Sequence, residues 1–473
     1  MLAAVLVIYV SILFGLALWA RSKGEGADDF LVAGRRLSLP LSLGTIIATW
    51  VGAGTILATV DEVRADGFAG IGLEPLGPGV CLLIVGLFFA KPLWQARIYT
   101  ANDLYRQKFG RRAEWVSTLF AVGYLPWIAA VMLGAAGILT TFFGMEQWQG
   151  IILVALIALG YTLLGGMWSV TLTDAFQVVL VVIGLIAFCW VTASTIGDGN
   201  VPDGVLGAWH SLKPEERTLI PLASLQESLS WIGLFLSGSL GLVASQDLLQ
   251  RVFSARSARV ASLSCCLAGG IYILVGSLPV FLGLASRLVL GQEATEHIAS
   301  TMATLVLNPG MQIAFVVSLA SAILSTLDSA ILAPSTVIAQ NLVRPMVGER
   351  VSVVALTRLA IVFVTIAGVG FAFSGDQAFA LLESAYSSGL ALFVVLLFAV
   401  HGKKPTTGAP AIAVMSLGLM VWGLEWVSGW QGLSAMGMPV SDPEQVVFPV
   451  PVVSLTGCFL VYWITDKVFS LTQ

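Results

Sequence analysis

Apolar runs, separated by short polar or glycine-bearing stretches, recur along the whole chain at 2–20, 40–60, 72–92, 115–143, 148–165, 171–194, 226–248, 258–290, 311–340, 352–374, 376–400, 408–430 and 449–468. A bilayer core about 30 Å thick needs about 20 apolar residues per helix. The pattern therefore predicts thirteen transmembrane helices, numbered here as spans one to thirteen. No stretch between them suits a soluble domain, so residues 1–473 are expected to form one all-α integral membrane unit.

Composition narrows the reading. Hydrophobic residues make up 57% of the chain and charged residues 11%, too little polar surface to solvate a globule in water. Arg21 and Lys23 follow the first run and nothing basic precedes it, the reverse of a cleavable signal peptide, so span one is expected to stay with its N-terminus outside. On that orientation the inner segments collect Arg21, Lys23, Arg35, Arg36, Lys91, Arg97, Arg106, Lys108, Arg111, Arg112, Arg251, Arg256, Arg259, Arg344, Arg350, Arg358, Lys403, Lys404 and Lys467. That is 19 of the 23 basic residues, leaving Arg64, Lys213, Arg217 and Arg287 outside. The positive-inside rule thus agrees with an odd number of spans, a cytoplasmic C-terminus and a place in the plasma membrane. A net charge of −4 carried mostly in loops gives no reason to expect a nucleic-acid partner. The five cysteines lie singly or as one adjacent pair in apolar runs, and the three histidines are scattered, so no disulfide framework, metal centre or organic cofactor is expected.

Two spans are interrupted. Span two carries Ala48-Thr49-Trp50-Val51-Gly52-Ala53-Gly54-Thr55 and span seven, five helices later, carries Ser237-Gly238-Ser239-Leu240-Gly241. Glycine is common where membrane helices simply pack together. Matched breaks in two halves, however, mark the ion and solute site of many carriers, because freed carbonyls and helix ends bind charge there. Residues 40–194 and 226–400 would then be two five-helix repeats of inverted topology, followed by two additional helices at 408–468. Span nine places Ser318, Ser321, Ala322 and Ser325 on one face, with Ala322, Ser325 and Thr326 at i, i+3 and i+4. These oxygens, with carbonyls at Ala48 and Val51, make a five-oxygen set of the hard kind that sodium accepts; the same hydroxyls also serve as interhelical hydrogen-bonding groups.

Among the acids inside the apolar spans, three stand in informative places. Asp174 stands in Thr171-Leu172-Thr173-Asp174, either a helix-capping pattern or a group facing a wet pathway. Asp328 follows Ser325 by one turn, on an inward ion route or as a solvated vestibule residue, and Glu383 reads as interfacial. Distant acids without a nucleophile or metal partner do not make an enzyme.

Several stretches together resemble the sodium:solute symporter family: Asp29-Phe30-Leu31-Val32-Ala33-Gly34-Arg35-Arg36, Ala48 to Thr55, Gly166 to Gln177, Gln246-Asp247-Leu248-Leu249-Gln250-Arg251, and Ala322 to Ser329. The resemblance implies thirteen helices in the five-plus-five inverted-repeat fold of the leucine-transporter type. It also implies sodium-coupled symport of a small organic solute by alternating access, with sodium held by the main-chain oxygens of Ala48, Val51 and Ala322 and the side chains of Ser325 and Thr326. In some members a second sodium or an exit station uses an aspartate matching Asp174. Trp50 departs from the family, whose proline carriers have an acid there and sugar carriers an asparagine. By analogy the solute lies beside the two breaks, which makes Trp50, Thr55, Trp127, Trp231 and Ser237 candidate contacts. Proton coupling is the closest rival, a transporter-like sensor the next, and the unit is expected to work as a monomer among membrane lipids.

Overall fold

In lipid every backbone N–H and C=O has to be satisfied within its own segment, which is why apolar runs this long become helices. The computed structural model describes residues 1–21, 26–52, 54–291, 297–348, 350–374, 378–402, 407–434, 436–441 and 446–471. Lys23, Lys403 and Lys404 of the basic tally and Ala53 of the first break lie outside them. Among the described residues eleven helices are long and apolar enough to cross a membrane.

The difference from thirteen has identifiable causes. Spans five and six run together as Gln147–Ile196, bent at Gly166, whose φ of 55° and ψ of −151° leave the helical region. A side chain there would also collide with the Phe30 carbonyl, 2.5 Å from an ideal Cβ, so only glycine serves as the joint. Span two is divided: Leu39–Trp50 stops at Val51, and the chain resumes as a wide turn, Gly54–Ala58, followed by Thr59–Asp66. That second part is continuous with span three in Gly54–Gln95.

Span seven is likewise divided, into Leu225–Leu236, a wide turn at Ser237–Gly241, and the separate helix Gln246–Ser254. Span eleven runs as Ala378–Ser388 and Leu390–His401 through Gly389, whose φ of −78° and ψ of −12° stay in the right-handed helical region. Span nine, Pro309–Val347 with its extension, is the axis of the bundle: 89% of its most apolar window is buried, against 17% for Leu2–Ala20 at the edge. The 194–225 connection holds the short helix Val201–His210, and a three-stranded antiparallel sheet of two-residue strands lies between spans twelve and thirteen.

Around the second break, backbones touch with no side chains between them. An ideal Cβ on Gly77 would meet Gly238 Cα at 2.8 Å, one on Gly241 the Tyr386 carbonyl at 2.0 Å, and one on Gly389 the Gly241 carbonyl at 1.9 Å. The wide turn of span seven is thus seated against spans three and eleven along a strip of bare main chain.

Three expectations are corrected. Arg251 is no inner-surface anchor: it is 1% exposed and ion-paired with Asp174. Asp174 does not cap a helix, because the helix has already run on from the Gly166 bend and the Thr171 hydroxyl donates to the Met167 carbonyl instead. Asp328 is not solvated; it is wholly buried.

Candidate functional site

The first break ends a helix in mid-bundle, and the buried hydroxyl face of span nine packs against that end. The Ser325 hydroxyl lies 2.7 Å from the Ala48 carbonyl and 3.0 Å from the Ala322 carbonyl, donating to this pair. The Thr326 hydroxyl donates to the Thr49 carbonyl at 2.9 Å. Val51 is the residue at which helical geometry is lost, with ψ at 76°, and like Ala48, Ala322, Ser325 and Thr326 it is buried. The contact is close because residue 52 is glycine: a Cβ there would lie 2.2 Å from Thr326 Oγ1. Neutral oxygens from two helices therefore converge with no cationic side chain among them, the donor set of a monovalent hard cation.

Beside this cluster opens a cavity of about 940 Å³ of space between atoms, mouth included. Its walls hold Trp50, Thr55, Tyr124, Trp127, Tyr272, Thr326 and Tyr386, and two acids, Glu74 and Asp247; among the described residues no lysine, arginine or histidine lines it. Asn102, Ser117, Pro334 and Val337 continue the wall, so the cavity extends toward the end of the bundle that carries the basic segment 97–112. Glu74 is buried and accepts the hydroxyls of Tyr272 and Tyr386, both at 2.6 Å, with Thr55 at 3.3 Å. Asp247 accepts the Trp50 indole N–H at 3.0 Å and the Tyr124 hydroxyl at 2.9 Å. Carboxylates held this way stay fixed, with aromatic faces packed round them: the Trp50 and Tyr272 rings meet edge to face at 6.2 Å.

Of the five solute contacts expected from sequence, Trp50, Thr55 and Trp127 line this cavity, whereas Trp231 and Ser237 do not. Trp231 turns away, its N–H bonded to the Ala69 carbonyl at 2.9 Å and its ring stacked on Phe235. Ser237 is buried in the bare-backbone strip. Glu74 and Asp247 were missed. Glu74 carried a usable signal, a lone acid within the apolar run 72–92.

Behind the oxygen cluster lies a polar network. Arg251 donates to the Thr45 carbonyl and hydroxyl, both at 3.2 Å, to the Asp247 carbonyl at 2.8 Å, to Asp174 Oδ2 at 3.3 Å and to the Ser329 hydroxyl at 2.6 Å. Thr45 also donates its hydroxyl to Asp174. Asp174 Oδ1 and Asp328 Oδ2 are buried without a hydrogen-bond partner. Among the described residues no group of three or more His, Cys, Asp or Glu forms a metal centre.

The family model of the sodium:solute symporter family matches residues 30–418. The chain is 26% identical to high-affinity choline transporter 1 of Drosophila melanogaster over 98% of this chain and 78% of that one. It is 29% identical to high affinity choline transporter 1 of Homo sapiens over 72% of this chain and 61% of that one, so it spans somewhat less than two thirds of the human relative. Among solved structures, a Na+-coupled sialic acid symporter in a substrate-bound outward-open state superposes with a TM-score of 0.78 at 16% identity, covering 99% of this chain and 98% of the other. That likeness is one of fold.

Proposed function

The chain belongs to the sodium:solute symporter family, and from that premise we propose that it carries a small organic cation into the cell together with sodium, by alternating access. The observation that carries this reading is the placement of Ser325 on the Ala48 and Ala322 carbonyls directly beside a cavity in which, among the described residues, the charged walls are two acids. Sodium takes the main-chain oxygens of Ala48, Val51 and Ala322 and the hydroxyls of Ser325 and Thr326. Two buried carboxylates without a basic partner in the cavity are costly, and a cationic solute offsets that cost. The aromatic faces of Trp50, Trp127, Tyr272 and Tyr386 suit an alkylated ammonium group, for which cation–π attraction is worth about 2 kcal/mol when water is excluded. The names of the choline-transporting relatives point to the same chemistry.

In this reading the bundle has thirteen spans when Gln147–Ile196 is divided at Gly166 and span two is counted across its break, and residues 40–194 and 226–400 are inverted repeats. The N-terminus is outside, the basic segment 97–112 is cytoplasmic, and the cavity, which runs toward it, stands on the inward side of the cycle. Sodium binds first from outside and tightens the solute site; by linkage the solute tightens sodium equally. Sodium leaves inward past Thr326, Ser329 and Asp174, where the aspartate serves as an exit station. One sodium ion moving down the membrane potential contributes about 2.3 kcal/mol per 100 mV.

Uptake of labelled choline into proteoliposomes, with sodium against equimolar potassium outside, tests the reading. Sodium-dependent uptake that is lost in the Ser325→Ala, Thr326→Ala double variant is expected. Uptake indifferent to sodium, or intact in that variant, would overturn it.

A further inference from the structure

The helix Gln246–Ser254 touches both halves of the proposed machinery. It starts just after the break in span seven, and its first turn puts the Asp247 carboxylate into the solute cavity, held by Trp50 and Tyr124. One turn later, on the same face of the helix, stands Arg251. Its guanidinium hydrogen-bonds to the Asp247 carbonyl at 2.8 Å on its own helix, and across the interface to Thr45, Asp174 and Ser329.

Two of those partners, Thr45 and Ser329, are each one helical turn from a proposed sodium ligand. Thr45 precedes Ala48 by three residues on the first half of span two. Ser329 follows Ser325 by four, and its hydroxyl lies 3.0 Å from the Ser325 carbonyl and 3.2 Å from the Thr49 hydroxyl. Thr49 in turn accepts the Thr326 hydroxyl. The planar guanidinium, wholly out of water, thus joins four segments through donors in fixed directions, which a flexible ammonium group does not reproduce. A chain of packed, hydrogen-bonded groups with rigid helices at both ends is the physical means by which one site biases another.

We propose that Arg251 is the positioning residue that couples the two sites: sodium binding, which draws Ala48 and Ser325 together, is transmitted through Thr45 and Ser329 to Arg251 and so sets the placement of Asp247 in the solute cavity. This rests on the sodium-symport reading above. The same connection runs backwards, so a cation at Asp247 tightens the sodium site by the same factor.

Hydrogen exchange on the purified full-length protein, in sodium against potassium, tests the coupling without an identified solute. In the wild type, sodium should slow exchange in peptides covering 48–55 and also in those covering 246–254, by about 5-fold or more. Arg251→Lys keeps the charge opposite Asp174 and so preserves the fold, but loses the fork; sodium should still protect 48–55 while protection of 246–254 disappears. Thr45→Val, which removes the hydroxyl's contacts to Arg251 and Asp174 but keeps the Thr45 carbonyl, should fall between. A purely structural arginine would speed exchange equally in both ions. Full sodium protection of 246–254 in Arg251→Lys, or none there in the wild type alongside protection of 48–55, overturns the coupling role alone. Absence of sodium protection at 48–55 in the wild type overturns the sodium site itself, and the coupling with it.

Discussion

Gly52→Ala probes the proposed sodium site through packing rather than through its ligands. An alanine Cβ at that position would lie 2.2 Å from Thr326 Oγ1, 3.0 Å from its Cβ and 3.1 Å from its Cγ2, where ordinary contact begins at 3.4 Å. Either Thr326 or the broken helix therefore has to move by about 1.2 Å, the difference between 3.4 and 2.2 Å. Metal–oxygen distances tolerate only about 0.2 Å, so the Thr326 hydroxyl leaves the coordination shell. Overpacking of this kind costs about 1–3 kcal/mol of stability. Loss of one hydroxyl contact to a charge removes about 1.5–3 kcal/mol of ion binding, which corresponds to sodium affinity roughly tenfold to a hundredfold weaker. The assay is thermal unfolding of the purified protein titrated with sodium against potassium. Sodium at a hundred times its dissociation constant stabilises by about 2.7 kcal/mol, and a tenfold weaker site would leave about 1.4 kcal/mol at the same concentration. A melting temperature lowered in both salts, with the sodium increment unchanged, would refute the reasoning by showing that Thr326 does not hold the ion.

Thr326→Ala removes the hydroxyl without the clash and should reproduce the sodium loss of Gly52→Ala with about 1 kcal/mol of lost stability, read from the same titration. Asp174→Asn leaves Arg251 a buried charge with no counter-ion, and thermal unfolding should report a loss of about 3–5 kcal/mol. Glu74→Gln keeps the shape of the cavity wall but removes one of its two charges, so choline uptake should show KM raised about tenfold or more while the sodium titration stays as in the wild type. Trp231→Phe loses only a bond to the Ala69 carbonyl outside the cavity; uptake kinetics should be unchanged in it and impaired in Trp127→Ala, measured side by side.

The sequence made the membrane class, both principal breaks and the convergence of Ala48 with Ser325 readable, because each leaves a local trace: apolar length, small residues in an apolar run, hydroxyls at helical spacing. The fusion of spans five and six was not readable, since a glycine joint and a loop look alike in hydropathy until the φ of Gly166 is known. Arg251 was misplaced for a related reason: the positive-inside rule counts charge by position along the chain, and a buried ion pair with Asp174, 77 residues away in sequence, leaves no mark on that count. Asp247 stands at the very end of the apolar run 226–248, where nothing local marks it, and only the tertiary fold brings Trp50 and Tyr124 to it. The resemblance to known carriers pointed to Trp231, whereas in the fold that indole packs at Gly72 and bonds to the Ala69 carbonyl, outside the cavity, a tertiary contact that leaves no local trace in sequence.

The strip of bare main chain at Gly77, Gly238, Gly241 and Gly389 has a mechanical meaning. Helices that interlock through side chains resist sliding, because every knob must climb out of its hole before the next position is reached. Where glycine meets glycine there is nothing to climb. The wide turn of span seven rests on spans three and eleven as on a plain bearing: close enough to carry load, smooth enough to shift by a small shear at low cost. A carrier that alternates its opening thousands of times needs such a surface somewhere, and here it borders the cavity.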